Sequence, residues 1–295
     1  MKSSCADGKP LIRCRHLKGK SASFQEQKSG PLYFKGRPSQ GSEGALNRTA
    51  RRSSAMIRVG TSGWSYPHWR EVFYPKSLGS NRWLSYYAQR FPSVEINATF
   101  YRLPSEATVR NWASQAPEGF LFAVKLSRII THRKKLREVQ EPLNLFVQRV
   151  RILANHMGPV LVQLPPRWRR NAPRLEAFLS SLPRDLMVAV EFRDPSWFHP
   201  EIYDLLHRVG AAFCRHDMRD LPVPAVSTGP FRYIRLHGPA GPYAGSYSPA
   251  ELERWAGEIL SDPGDEGTFI YFNNDVGGYA PINALQLMEI LDRLG

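Results

Sequence analysis

From Ile57 onward the chain alternates short apolar runs with longer stretches of helical period, eight times over. That alternation leaves few folds open, because it is the pattern of parallel strands joined by right-handed helical crossovers. The runs are Ile57–Thr61, Val94–Ala98, Phe120–Lys125, Val160–Leu164, Met187–Phe192, Ala211–His216, Phe231–His237 and Phe269–Phe272. Helical patterns fall near Asn81–Phe91, Ser105–Gln115, Glu141–His156, Ala172–Ser181, Pro200–Val209, Pro249–Leu260 and Ala280–Leu294. Ser105 with Thr108 reads as a helix start, and Ser248 with Glu251 as a capping box. Between the sixth and seventh runs, Asp220–Gly229 is too rich in proline for a regular helix. Eight strands predict an α/β protein: a single TIM-like (β/α)8 barrel over residues 56–295.

Residues 1–55 lack both strand and helix periods and are expected to form a disordered basic tail. They hold six Lys and six Arg against Asp7, Glu26 and Glu43, which is nine of the chain's net +14 charges. Residues 56–295 thus carry only +5, which weakens a nucleic-acid reading of the body. Met56 stands directly before the first strand, so a translation start there is an alternative to a real tail. No run approaches the roughly 18 apolar residues of a membrane span, and no apolar segment follows the basic N-terminus as in a secretory signal. Of Cys5, Cys14 and Cys214, only the last lies in a patterned run, so no disulfide framework is implied. A cytoplasmic protein without a membrane partner is expected.

In a barrel of this kind the functional face is the C-terminal end of the strands. Side chains alternate along a strand, so stepping by two picks the inward set. This gives Glu95 and Asn97, then Lys125, Gln163, Glu191 with Arg193 beyond it, His216, Arg235 with His237, and Asn273. The lower inward positions Leu121, Ala123, Leu161, Ala189, Ala212 and Cys214 are apolar or small. Polar groups therefore gather at one end. Buried charges are usually paired, so each residue has a structural reading beside a functional one.

Two glycine-bearing loops, His237–Gly245 and Asn274–Gly278, follow the seventh and eighth runs, where such barrels often hold phosphate. Aromatic residues crowd the same rim, among them Trp64, Tyr66, Trp69, Phe100, Tyr101, Trp197, Phe198, Tyr243 and Tyr247, and such faces suit a sugar ring or a nucleobase. Gly60-Thr61-Ser62-Gly63 is no nucleophile elbow, since Trp64 stands where the final glycine belongs. Walker, dinucleotide, His-Glu-x-x-His and CxxC motifs are all missing from the sequence. A glycosidase pair of Glu95 and Glu191 is possible in principle. A metal set drawn from Glu95, Glu191, His216, Asp217 and His237 has suitable ligand types, but Lys125 and Arg235 would oppose a cation.

The segments Gly60-Thr-Ser-Gly-Trp-Ser-Tyr66, Val94-Glu-Ile-Asn-Ala-Thr-Phe-Tyr101 and Phe122-Ala-Val-Lys125 resemble the YecE-like family, the domain of unknown function numbered seventy-two. So do Val162-Gln-Leu-Pro-Pro166, Glu191-Phe-Arg193, Arg235-Leu-His-Gly238 and Phe272-Asn-Asn-Asp275. The resemblance runs from Ile57 almost to the C-terminus. It implies a TIM-like barrel and supports Met56 as a start, but supplies no reaction. It also implies that Glu95, Asn97, Lys125, Gln163, Glu191, Arg193, Arg235, His237, Asn273 and Asn274 occupy motif positions. Asp194, where many relatives are expected to carry histidine, and Leu126, where a small residue is commoner, depart from the pattern.

The leading expectation is an enzyme acting by acid–base chemistry on a small anionic substrate, a phosphorylated sugar or a nucleotide derivative. Glu95 or Glu191 is the expected general base and His237 the general acid. Asn97, Lys125, Gln163, Arg193, Arg235, Asn273, Asn274, Trp64, Tyr101 and Gly238 are the expected substrate-binding residues. No cofactor is expected, with a divalent metal as the minor alternative. Isomerase, lyase and hydrolase chemistry are not separated at this level, and no oligomeric state is indicated. One competing reading is a nucleic-acid protein, with Trp64, Tyr66 and Trp197 stacking bases beside Arg133, Lys134, Lys135, Arg137, Arg167, Arg169 and Arg170. The other is a barrel that binds a metabolite without turning it over.

Overall fold

The computed structural model describes residues 56–295; the tail expected at residues 1–55, with Cys5 and Cys14, lies outside the described residues. All eight expected strands are present: β1 (Ile57–Thr61), β2 (Ser93–Ile96), β3 (Leu121–Lys125), β4 (Met157–Gln163), β5 (Val188–Glu191), β6 (Ala212–His216), β7 (Arg232–Leu236) and β8 (Thr268–Phe272). Each is parallel to its neighbours, in the order β1-β8-β7-β6-β5-β4-β3-β2. The fourth starts three residues before the expected Val160. The missing Cβ of Gly158 lets this extension lie against the β3 backbone, where a Cβ would come within 3.1 Å of the Phe122 carbonyl.

The helices are α1 (Trp83–Ala88), the one-turn α2 (Ala98–Tyr101), α3 (Glu106–Gln115), α4 (Gln140–Val150), α5 (Ala172–Ser180), α6 (Pro200–Val209), α7 (Pro249–Ser261) and α8 (Tyr279–Leu294). Ser105 caps α3 through the Thr108 amide, and Ser248 with Glu251 forms the complete capping box of α7. The helix expected to run to His156 stops at Val150 and continues as a 3-10 segment, Arg151–His156. As the prolines require, no regular helix connects β6 to β7. No helix among the described residues is long and apolar enough to cross a membrane.

Two apolar layers follow from the alternation. One lies between strands and helices, and the other fills the barrel with Ala123, Leu161, Ala189, Ala212, Cys214, Phe231, Tyr233, Phe269 and Tyr271. Alanines on β3, β5 and β6, with Leu161 on β4, share this interior with the large rings of Tyr233 on β7 and of Phe269 and Tyr271 on β8, so small and large side chains together fill the barrel.

Closure is made at the β1–β2 seam, where a single bridge pairs Ser62 with Glu95. Below it a side chain takes the place of a ladder bond. The Tyr87 hydroxyl from α1 accepts from the Thr61 amide (2.8 Å) and donates to the Ser93 carbonyl (3.1 Å). Gly60 is required at this point, because a Cβ there would lie 2.1 Å from the Ser93 oxygen. Removing the hydroxyl leaves a buried donor and a buried acceptor unpaired. Tyr87→Phe is therefore expected to lower stability by about 1–3 kcal/mol, read from urea unfolding; an unchanged midpoint would show that the seam does not depend on this wedge.

Candidate active site

Four charged side chains from three strands meet above the apolar filling. Arg235 on β7 forks to Glu95 on β2, its Nε 2.9 Å from Oε2 and its Nη2 2.8 Å from Oε1. Its Nη1 donates to Glu191 Oε2 on β5 at 2.8 Å. Glu191 Oε1 accepts from Gln163 Nε2 (2.7 Å) and from the Nε of Arg193. Glu95 also accepts from the Tyr233 hydroxyl (2.8 Å) and from Ser62 Oγ. Ser62 Oγ in turn accepts from Asn97 Nδ2 (2.8 Å) and Arg235 Nη2 (3.0 Å). Every carboxylate oxygen thus has at least two partners, as burial of both acids demands. Burial alone would raise Glu191, but Arg193 and Arg235 outweigh it and hold the carboxyl well below the usual range. Burial would likewise weaken the charge on Arg235, yet Glu95 and Glu191 hold its guanidinium pKa well above normal.

His237 sits beside this network. Its Nε2 lies 2.6 Å from Arg193 Nη2 and 3.3 Å from Arg235 Nη1, groups that only donate, so Nε2 is the acceptor. Its Nδ1 lies 3.3 Å from the Arg235 carbonyl, which takes the proton. Burial first, then Arg235, pushes its pKa well below normal. The ring is neutral and fits a base better than the general acid expected from the sequence. The Asp217 carboxylate accepts from the His237 amide at 2.6 Å and from the Tyr247 hydroxyl. Tyr247 accepts from the Gly238 amide at 2.7 Å.

Above the network opens a cavity of about 830 Å³, lined by loops after β2 to β7. Its cations are Lys125, Arg128, Arg133, Arg167 and Arg193, opposed by Asp194 and Asp220; Phe100, Tyr101, Tyr243, His132 and Gln163 complete its polar and aromatic wall. A turn of π-helix, Ile129–Arg133, brings His132 and Arg133 to the rim, a deviation frequent at functional sites. Lys125 is only 9% exposed and forms no salt bridge among the described residues; its ammonium lies 4.4 Å from the Phe100 ring centre. Burial, with Arg235 next, brings its pKa down to about 8. Burial with Lys125 and Arg128 brings His132 down to about 4.

Of the residues nominated from sequence, Lys125, Gln163, Arg193 and Tyr101 line this cavity, while Glu95, Glu191, Arg235 and His237 lie buried outside its lining. Asn273 is half-buried at the end of β8, its amide donating to the Leu236 carbonyl at 2.7 Å. Asn97 and Trp64 line a different cavity. The Asn274 side chain is fully buried and bonds Gly245 (2.9 Å) and Asn283 (2.8 Å). The glycine loops are partly satisfied within the fold: the amides of Gly238, Ala240, Ala244, Val276 and Gly278 have partners, while Asn274 Oδ1 has none. The positive lining comes instead from the loops after β3, β4 and β5. The five residues weighed as metal ligands do not converge, since Arg235 lies between Glu95 and Glu191, and no group of three such donors forms among the described residues.

The sequence reading missed Ser62, Tyr233, Arg128 and His132. Ser62 and Tyr233 share the parity of Gly60 and Arg235 and were within reach of the same two-residue step. Arg128 and His132 follow the strand and carry no periodic signal. If the network is the structural keystone of the mouth, Arg235→Met must leave buried Glu95 with only the hydroxyls of Tyr233 and Ser62, and Glu191 with Arg193 as its one cation. The expected cost is about 3–5 kcal/mol at neutral pH. Burial, the largest influence on Glu191, would then be opposed mainly by Arg193 and would carry its pKa up past the unfolded value, so the variant should gain stability as pH falls from 7 toward 5. Wild type should not, since its depressed Glu191 loses stabilisation only below the unfolded value; urea unfolding at pH 5 and 7 distinguishes the two.

Residues 58–294 match the family described as "Protein of unknown function DUF72". The chain is 29% identical over 274 residues to the UPF0759 protein YunF of Bacillus subtilis, covering 80% of this chain and 95% of that protein. It is 35% identical over 144 residues to the UPF0759 protein YecE of Escherichia coli, a stretch covering 48% of this chain and 50% of the relative. The crystal structure of a DUF72 family protein from Thermotoga maritima superposes with a TM-score of 0.74 at 30% identity, covering 80% of this chain and 99% of that one. One from Enterococcus faecalis gives 0.70 at 22% identity over 80% of this chain and 96% of its own, a likeness of fold alone. With a family match over residues 58–294, relatives along most of that length and a shared fold, the chain belongs to the YecE-like DUF72 family of TIM-like barrels.

Proposed function

We propose that the barrel mouth binds a small anionic molecule, a phosphorylated sugar or a nucleotide derivative, and acts on it by acid–base chemistry. The observation that carries this reading is Lys125, a nearly buried cation without a carboxylate partner, at a cavity whose lining holds five cations against two anions. Arg193 has a different task from Lys125. Its Nε holds Glu191 and its Nη2 holds His237, so the guanidinium is fixed before any ligand arrives. Fixed donors of this kind stabilise developing negative charge without reorganising. Arg128, Arg133 and Arg167 form the outer ring that attracts the anion.

One group suits proton transfer. Lys125, with a pKa near 8, exchanges a proton close to neutral pH, where general acid–base catalysis works best. His237 Nε2, which accepts from Arg193, fixes the orientation of that guanidinium and through it the donor offered to the ligand. Glu95 and Glu191, expected from sequence as bases, serve here by holding Arg235 and Arg193. They act on the substrate through those arginines. A cytoplasmic setting suits a phosphorylated metabolite.

A second reading rests on Tyr101 and Tyr243, which are 69% and 41% exposed on opposite rim loops beside Arg133 and Arg167. Aromatic faces among arginines suit the end of a single-stranded nucleic acid.

Calorimetry of the full chain with inorganic phosphate and with phosphosugars tests the first reading. Binding is expected at neutral pH and should weaken as pH rises through about 8, because the ammonium of Lys125 loses its charge. Lys125→Met should lower affinity by roughly tenfold or more, the worth of a charge-assisted hydrogen bond, and Lys125→Arg should restore binding at pH 9. Equal affinity in Lys125→Met would overturn the assignment. Oligonucleotide binding that falls steeply with salt and is lost in Tyr101→Ala would favour the second reading.

A further inference from the structure

A second cavity, of about 380 Å³, opens beside the mouth between the β1 loop, α1 and α3. The short helix α2 forms the partition. Asn97 and Ala98 at its start line the second cavity, and Phe100 and Tyr101 at its end line the mouth. The two chambers are chemically opposite, for no charged side chain lines the second one. Its polar groups are mainly amides: Asn81, Asn97, Asn111 and Gln115. Its walls include the indoles of Trp64 and Trp112, which meet edge to face at 5.5 Å.

Asn97 supplies the decisive detail. Ser62 Oγ donates its single proton to Glu95, so it accepts from Asn97, which fixes Nδ2 as the group turned toward it at 2.8 Å. That leaves Asn97 Oδ1, which is buried and has no hydrogen-bond partner. That oxygen is out of contact with solvent, so a ligand hydroxyl meets it only when the Asn97 amide, which lines the cavity, turns toward it; pairing would then relieve the cost of a buried acceptor without a partner. Tyr66 cannot be that partner, since its hydroxyl already donates to the Ser62 carbonyl at 2.6 Å.

We propose that this cavity is a binding site for a neutral hydroxylated ring, a monosaccharide or the sugar unit of a larger molecule. Amides both donate and accept, as vicinal hydroxyls do, and indole walls take the C–H edges of a sugar ring. The uncharged lining gives no compensation to an ionic ligand. The volume lies within the roughly 300–1,000 Å³ of small-molecule sites. Because Asn97 touches Ser62, which touches Glu95 and Arg235, occupancy is linked to the charged network by direct hydrogen bonds.

The test is titration of the full chain with ribose, glucose and galactose, each alone, followed by saturation-transfer NMR and tryptophan fluorescence. At least one sugar should bind saturably and perturb the indole emission. Asn111 is exposed and Gln115 half-exposed, so the double change Asn111→Ala with Gln115→Ala should leave the thermal midpoint unchanged. It should lower sugar affinity about tenfold or more, the loss expected for two hydrogen bonds of roughly 1 kcal/mol each. Lys125→Met, which disables phosphate binding at the mouth, should leave sugar affinity intact, so the two sites fail separately. Absence of saturable binding by all three sugars, undiminished binding by the double variant, or loss of binding in Lys125→Met would each overturn the proposal.

Discussion

The arrangement at the mouth depends on one guanidinium. Arg235 reaches across the barrel from β7 and is shared between Glu95 on β2 and Glu191 on β5. Neither acid is exposed, and Arg235 is the one charged partner they share. The same contact ties the seam together. Glu95 pairs with Ser62 across the β1–β2 closure, and Ser62 is held by Arg235 as well. A charge network thus completes a closure that the backbone ladder makes with one bridge and the Tyr87 wedge.

Because the two acids are neutralised below, the cavity above them is left with an excess of positive charge. Lys125 has no acid to pair with, and the arginines after β3, β4 and β5 add to it. The glycine-bearing loops after β7 and β8 contribute stiffness. Their amides bond to each other and to Tyr247, while Asn274 and Asn283 fasten them to α8. Position at the C-terminal end of a strand gave these loops the look of a phosphate cradle. What a loop can bind depends on which of its donors are free, and here the amides of Gly238, Ala240, Ala244, Val276 and Gly278 are occupied.

The fold was legible in the chain because its signals are local. Apolar runs of strand length, separated by helical spacing, specify eight βα units without reference to any distant residue. The capping box at Ser248 and Glu251 and the proline-rich link after β6 were visible for the same reason. Strand parity placed Glu95, Lys125, Gln163, Glu191 and Arg235 at one end of the barrel, since a side chain on a strand can point only in or out. The same rule applied to β1 and β7 would have added Ser62 and Tyr233.

Parity says which residues face inward; it does not say which of them meet. That Arg235 would lie between two carboxylates, that His237 Nε2 would accept from Arg193, and that Asp217 would bind the His237 backbone all depend on contacts between residues 20 to 140 positions apart. Arg128, His132, Arg133 and Arg167 reach the mouth by loop geometry, which has no period to read. Asn97 touches the charged network through Ser62, yet with Trp64 it lines the cavity on the far side of α2. The sequence by itself determined the barrel and the end at which polar chemistry collects, because hydrophobic alternation is a local property. Only the tertiary structure decided which charges neutralise one another and which remain free, because that is settled by distances across the closed barrel.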